Sequence, residues 1–201
     1  LAQSQLQLHY QPKVHLATGT LCGVEALSRW CDEDGRWISP GEFIPVAEER
    51  GLIGGLGDWT LTQAARDIAY WQQAGAAVVP RVAVNVSAAQ MMDEGFAERA
   101  ERLVRAQGVA PGMIELEMTE SALMNEPEKA RLVASSLVEA GFCLSIDDFG
   151  TGYSSLERLQ SFPVFKLKID MSFVRDMDTH AGNRAIVTAV IGMAKALKLE
   201  T

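Results

Sequence analysis

Cysteine, histidine and basic charge are all scarce in this sequence, and each shortage removes a class of function. The three cysteines, Cys22, Cys31 and Cys143, have no metal-ligand spacing, and their odd number fits poorly with a disulfide framework. They read as reduced thiols, with Cys22 and Cys143 acting as small core hydrophobes inside apolar runs rather than as reactive groups. His9, His15 and His180 share neither spacing nor element, so each reads as a surface or packing residue rather than a ligand. With 18 Lys and Arg against 26 Asp and Glu, the formal charge is -8, which argues against a groove for a DNA or RNA polymer. A small phosphorylated ligand stays open, because bound cations reverse the local sign. No signal peptide opens the chain and no apolar run is long enough to span a bilayer. The expectation is a cytoplasmic domain, or the cytoplasmic part of a membrane-anchored parent protein.

What is present suits a single folded domain. The 201 residues are 48% hydrophobic and 22% charged, an ordinary globular balance that supports a real core. The opening Leu-Ala-Gln-Ser-Gln reads as a linker remnant (1–5), and Ala196 to Thr201 break off without a helix stop signal. Both ends suggest a piece of something longer.

Strand-like runs occur at about Leu6–Val14, Thr20–Trp30, Arg81–Val86, Met113–Met118, Phe142–Asp147 and Val164–Ile169. The first pair predicts a hairpin turning near Thr18-Gly19. Ser39-Pro40-Gly41-Glu42 combines a capping box with a first-turn proline and opens a helix toward Arg50. Asp58 is placed to cap a long helix ending at Gly75, and further helices are expected over Phe96–Gln107, Pro127–Ala140 and Asn183–Leu197. Gly108 and Gly141 mark helix ends. After the hairpin, strand and helix alternate strictly, the pattern of parallel βα units.

The strands also alternate residue by residue. Val82, Val84 and Val86 oppose Arg81, Asn85 and Ser87; Ile114, Leu116 and Met118 oppose Glu115 and Glu117. Leu144 and Ile146 oppose Ser145 and Asp147, and Leu167 and Ile169 oppose Lys166, Lys168 and Asp170. An open sheet covered by helices on both faces would read as continuous apolar runs. One apolar and one charged face instead suit a barrel, helices outside and polar groups within. A one-faced antiparallel sheet is the alternative, and the intervening helices disfavour it. Asn85, Glu117, Asp147 and Lys168 fall at or near the carboxyl ends of their strands, the end where barrel enzymes carry their chemistry.

Carboxylates gathered in a half-buried site need a cation or a proton. Glu25, Glu117, Asp147 and Asp148 would converge at the barrel mouth, with Asn85 adding an amide oxygen. An all-oxygen set favours Mg²⁺ or Mn²⁺ over zinc. The adjacent Asp147-Asp148 pair would let one carboxylate bridge two ions, about 3.5–4 Å apart, as in in-line attack on a phosphodiester. Lys168 either orients a water or stabilises phosphate charge, or it forms a structural ion pair with Asp147 or Asp170. Arg29, on the Glu25 face, is placed to meet a phosphate, or else it is a rim charge. The glycine-punctuated run Asp148 to Ser155 reads either as a loop coupling metal binding to substrate entry or as ordinary surface.

These residues fall in motifs. Glu25-Ala26-Leu27 with Arg29 resembles the signature of the EAL family of cyclic di-GMP phosphodiesterases. The likeness continues through Tyr10-Gln11-Pro12, Phe43-Ile44-Pro45, Asn85-Val86-Ser87, Glu117-Met118-Thr119-Glu120, Asp147 to Ser154 and Lys168-Ile169-Asp170, in order and over essentially the whole chain. The resemblance implies an α/β fold, a (β/α)8 TIM-like barrel with an antiparallel first strand. It implies a first metal on Glu25, Asn85, Glu117 and Asp147 and a second near Asp147 and Asp148. Lys168 would position the water between them, and Glu120 would tie down the loop Phe149–Ser155. Gln11, Leu27, Arg29, Pro45 and Asp170 would contact the substrate. The family reaction opens one phosphodiester of cyclic di-GMP to give linear pGpG, with Mg²⁺ or Mn²⁺.

The family pattern continues past this point with a strand carrying Ala-Glu-Gly-Val-Glu, whose first Glu is the general base, and then a closing strand. Only six of the eight barrel strands are counted here, so residues 6–201 read as an EAL-type domain cut short at its C-terminus. The resemblance also implies a homodimer and an upstream sensor or GGDEF-type domain. A catalytically silent cyclic di-GMP receptor is the alternative, and a dimerising scaffold a weaker one, since it leaves the carboxylates unexplained.

Overall fold

The computed structural model describes residues 5–152 and 156–201, so most of the expected linker remnant, and Tyr153–Ser155 of the glycine loop, lie outside the described residues. Strands β1 (Leu6–Val14) and β2 (Leu21–Cys31) form the expected antiparallel hairpin. Gly19 turns it at φ 68°, a conformation that costs glycine nothing sterically. A two-residue strand, β3 (Trp37–Ile38), adds to the end of β2. Helix α1 (Pro40–Glu49) starts with the capping box foreseen at Ser39 and Glu42.

Helix α2 (Ile53–Gln73) begins earlier than the sequence suggests. Leu52 is its N-cap and makes no side-chain capping bond. Asp58, expected as the cap, sits in the second turn and pairs with Arg99 at 3.0 Å. The chain then alternates as β4 (Val82–Val86), α3 (Ala88–Met91), α4 (Phe96–Arg105), β5 (Ile114–Thr119), α5 (Glu120–Met124), α6 (Pro127–Glu139), β6 (Cys143–Phe149), α7 (Leu156–Ser161), β7 (Lys166–Ile169), α8 (Met171–Arg175) and α9 (Ala181–Ala196). Gly108 and Gly141 follow α4 and α6 with positive φ, as expected of helix ends. A stop that the sequence did not advertise closes α9, where Lys198 adopts φ 59°.

The strands pair in the order β1-β2-β4-β5-β6-β7, with every contact from β2 to β7 parallel. This is the curled, mostly parallel sheet of a TIM-like barrel with an inverted first strand, and Glu200 adds a parallel bridge beside Lys166. The outer face carries the core. Val82, Val84, Ile114, Leu116, Met118, Leu144, Ile146 and Leu167 are all buried under helices that contribute Leu61, Ile68, Phe96, Val104 and Leu137. Burying each large aliphatic or aromatic side chain stabilises the fold by about 1.5–3 kcal/mol. Cys143 is partly buried as a small strand residue, but Cys22 is exposed near the barrel floor, its thiol 3.4 Å from the Lys13 carbonyl. Cys22 sits where the β1–β2 register shifts, Lys13 pairing with Gly23 and Val14 with Leu21, so it is left exposed at the end of the strand. No helix among the described residues is long and apolar enough to cross a membrane.

Candidate metal centre and ligand groove

The inner face concentrates the charge that the outer face excludes. Glu25 on β2, Glu117 on β5 and Asp147 on β6 each offer a carboxylate oxygen within 4.8 Å of the others. Glu117 is 1% exposed, while Glu25 and Asp147 are half-buried, so the set forms a cup open toward the mouth. Asn85 on β4 donates its Nδ2 to Glu25 Oε1 at 3.0 Å, which orients Glu25 and leaves the amide oxygen available. The donors are all oxygen and mostly anionic, a set that fits Mg²⁺ or Mn²⁺.

Lys168 on β7 enters the same cup. Its ammonium lies 2.6 Å from Glu117 Oε2, 2.6 Å from Asp147 Oδ2 and 3.4 Å from Glu25 Oε2. Asp170 is not its partner. Burial alone would push this lysine down, but Glu117 and Asp147 outweigh it and hold the ammonium well above its ordinary range. For Glu117 the balance goes the other way. Burial raises its carboxyl above the ordinary carboxylate range despite the lysines beside it.

Asp148 reaches the mouth by a break in the alternation. It takes φ 53°, an unusual left-handed conformation that Asp tolerates better than most, and the β6–β7 register shifts between Ile146 and Phe149. Its backbone N–H donates to Asp147 Oδ1 at 2.8 Å, bracing that carboxylate. The Asp148 carboxyl falls outside the close cluster and lies beside Asp170. Burial, then the charges of Asp147 and Asp170, push it up. Asp170 mainly caps α8, accepting the Ser172 N–H at 2.8 Å.

Glu120 starts α5 and is 2% exposed. Its Oε2 accepts the Gly150 N–H at 2.9 Å, the loop contact expected of it. Both glycines of this loop sit in tight space. A Cβ on Gly150, which has φ +103°, would lie 3.0 Å from the Phe173 ring, and one on Gly152 would lie 2.7 Å from Glu120 Oε1.

Beside the cup runs a groove lined by Leu27, Arg29, Ile44, Asn85, Ser87 and Gln90, among others. Arg29 is half-buried, with Nη1 held by the Ser28 carbonyl at 3.0 Å. Gln11 is exposed on β1, opposite Glu25 in the register. Pro45 is exposed within α1 and Asp170 stands at the α8 cap; neither lines this groove, although Pro40, Ile44 and Glu48 beside Pro45 do. The floor of the groove is built by Ser87, whose N–H and hydroxyl both reach Gln90 Oε1 at 3.1 Å. Gly57 of α2 packs against the Gln90 amide, where any Cβ would collide at 2.3 Å.

Sequence reasoning passed over Lys13. It projects into the barrel from the far end of β1 and reaches Glu117 Oε1 at 2.5 Å. The signal was available, because Gln11 and Lys13 share one face of β1 and Lys13 directly follows the Tyr10-Gln11-Pro12 motif. It was obscured by the neighbouring Pro12, whose motif drew attention to the mouth.

Comparison with known proteins agrees with this geometry. The family model described as the EAL domain matches residues 1–201. MucR of Pseudomonas aeruginosa, named a bifunctional diguanylate cyclase and cyclic di-GMP phosphodiesterase, is 38% identical over 200 residues, covering 100% of this chain and 29% of its own length. A cyclic di-GMP phosphodiesterase of the same organism is 40% identical over 191 residues, covering 94% of this chain and 32% of its own. The chain thus spans between a quarter and a third of the length of these relatives. A solved structure titled as a MucR phosphodiesterase in complex with cyclic di-GMP superposes with a TM-score of 0.92 at 38% identity, covering 97% of this chain and 78% of that one. The strand order, the inverted first strand and the full-length match make the chain a member of the EAL domain family.

Proposed function

We propose that this domain hydrolyses one phosphodiester bond of cyclic di-GMP to give linear pGpG. The observation that carries the reading is the meeting of Glu25, Glu117 and Asp147 oxygens within 4.8 Å at the mouth of an EAL-family barrel. Glu25, Asn85, Glu117 and Asp147 would hold one Mg²⁺ or Mn²⁺, and Asp147 with Asp148 a second. Bound there, such ions supply Lewis-acid stabilisation of phosphate charge and lower the pKa of an attacking water.

The chain's own groups do the rest. Lys168 brings a permanent positive charge to the cup and would orient the nucleophilic water or meet the phosphate. Glu120 holds Gly150, and through it the turn that follows Asp148. Arg29 and Leu27 line the groove and would clamp one guanylyl half, with Gln11 across the strand register and Pro45 and Asp170 as further contacts. In the parent protein we read the domain as cytoplasmic and homodimeric, joined to an upstream sensor or GGDEF-type module, as the relatives' multidomain lengths suggest.

The test is chromatography of cyclic di-GMP incubated with the intact protein and Mg²⁺, beside Glu25→Ala. Conversion to pGpG that the variant loses is the expected result. Ligand binding without turnover in the unsubstituted protein would overturn the hydrolase reading in favour of a receptor.

A further inference from the structure

The inner face of the barrel carries a column of alternating charge that descends below the proposed metal site. Lys168 meets Glu117 Oε2 at 2.6 Å, Lys13 meets Glu117 Oε1 at 2.5 Å and Glu115 at 3.5 Å, and Lys166 meets Glu115 at 2.8 Å. The upper part of the column belongs to the site already described. Lys13 does not.

We propose that Lys13 is a positioning residue, holding Glu117 from beneath in the orientation that presents Oε2 to the metal. The inference rests on the reading of Glu117 as a ligand. The two lysines divide the Glu117 carboxylate between them, and the Glu117 side chain has 0% exposure, so water cannot replace either. Lys168 also spans Asp147 and Glu25, the oxygens a divalent ion would need. Lys13 takes the other Glu117 oxygen, Oε1. Its hydrogen bond is therefore compatible with a metal on Oε2, whereas that of Lys168 competes for the same atom.

The lysine is itself built into place. Its partner in the hairpin register is Gly23, where an added Cβ would meet Lys13 Cδ at an ordinary packing distance of 3.8 Å and the Arg81 carbonyl more tightly, at 3.3 Å. Glu115, 3% exposed, takes the remaining reach of the ammonium. Burial would raise the Glu115 carboxyl, but Lys166 and Lys13 overcome it and hold Glu115 below the ordinary carboxylate range. A carboxylate held at Oε1 by a half-buried lysine is restrained from turning Oε2 out of the coordination position. Partners of this kind typically change metal affinity about 10–100-fold when removed.

The experiment is Mn²⁺ titration of the intact protein by electron paramagnetic resonance, with thermal unfolding recorded on the same samples. Lys13→Met is expected to weaken Mn²⁺ binding about 10–100-fold and to change the spectrum of the bound ion, and Lys13→Arg to restore most of the affinity. If Lys13→Met does not fold, Lys13→Gln replaces it with the same expected direction. Unchanged or tighter Mn²⁺ binding overturns the proposal, even if the melting temperature falls, because deleting a positive charge would by itself favour a cation. Glu117→Gln separates the two levels of inference. Should it leave Mn²⁺ affinity intact, the ligand reading fails and this proposal with it. Should it abolish binding while Lys13→Met leaves the affinity unchanged, only the role of Lys13 is lost.

Discussion

The ammonium of Lys168 lies 2.6 Å from Glu117 Oε2, against the one carboxylate of the cluster that solvent does not reach. A divalent ion and this lysine address the same oxygens, so charge balance in the cup depends on which of them is present. In chelator, Lys168→Met leaves Glu117, Asp147 and Glu25 short of a counter-charge, and breaking such a buried pair costs about 3–5 kcal/mol. Urea unfolding should show that loss in chelator and a large part of it recovered on adding Mn²⁺. Equal stability of variant and parent in chelator would remove the pair from the account of the fold. Turnover of cyclic di-GMP is expected to fall about 100-fold or more even with saturating metal.

The loop after Asp148 crowds any side chain at two positions. Gly152→Ala drives a methyl into Glu120, and overpacking of that sort costs about 1–3 kcal/mol unless the loop moves. Gly150→Ala adds backbone strain at φ +103° to a tight contact with Phe173. Both variants should lose activity more than global stability, with Gly150→Ala the more damaging. Parallel measurement of kcat and of the unfolding midpoint checks this, and equal losses in both would argue against a local effect.

Arg29 lines the groove but touches none of the clustered carboxylates among the contacts described. Arg29→Ala should therefore raise KM for cyclic di-GMP by about 10–100-fold, the worth of a hydrogen bond to a charged group, with little change in kcat. Initial-rate kinetics decide it: a fall in kcat at unchanged KM would place Arg29 in the chemical step instead.

Far from the cup, Tyr10 of β1 donates its hydroxyl to Asp67 of α2 at 2.5 Å. Burial first, then the Asp67 carboxylate, hold this phenol well above its usual range near 10.0. The folded pKa is raised, so the contribution to stability is complete below pH 10 and declines as pH rises through and above the unfolded value. Tyr10→Phe should be less stable than the parent by about 1 kcal/mol at pH 8 and should lose part of the alkaline decline. Denaturant titrations at pH 8 and pH 11 test this; an unchanged gap between the two proteins at both values would rule it out.

Strand alternation made the barrel readable before any coordinates, because one-faced charge on parallel strands has few other homes. Asn85, Glu117, Asp147 and Lys168 followed from the same parity. Parity fails where the backbone departs from it. The bulge at Asp147-Asp148 decides that Asp148 lies beside Asp170 rather than inside the cluster, and nothing in the local sequence reports a φ of 53°. Asp58 misled for a related reason. Its residue type favours a cap, but it pairs with Arg99 from within α2, which starts at Ile53, six residues before the start that an Asp58 cap would give. Cys22 looked like core because its neighbours are apolar, whereas the register shift at the strand end leaves it exposed. Lys13 needed the third dimension, since its partner Glu117 is 104 residues away along the chain and lies toward the opposite end of its own strand from the β1 turn.

The inverted direction of β1 has a consequence for how such a domain can vary. A strand running against its neighbours carries Gln11 at the height of Glu25 and, two residues later, Lys13 at the floor. One nine-residue segment thereby touches both the ligand side and the underside of the same centre. On the roles proposed, substitutions at these two positions would act separately, one on the ligand held and the other on how firmly a bound ion sits, without rebuilding any loop at the mouth.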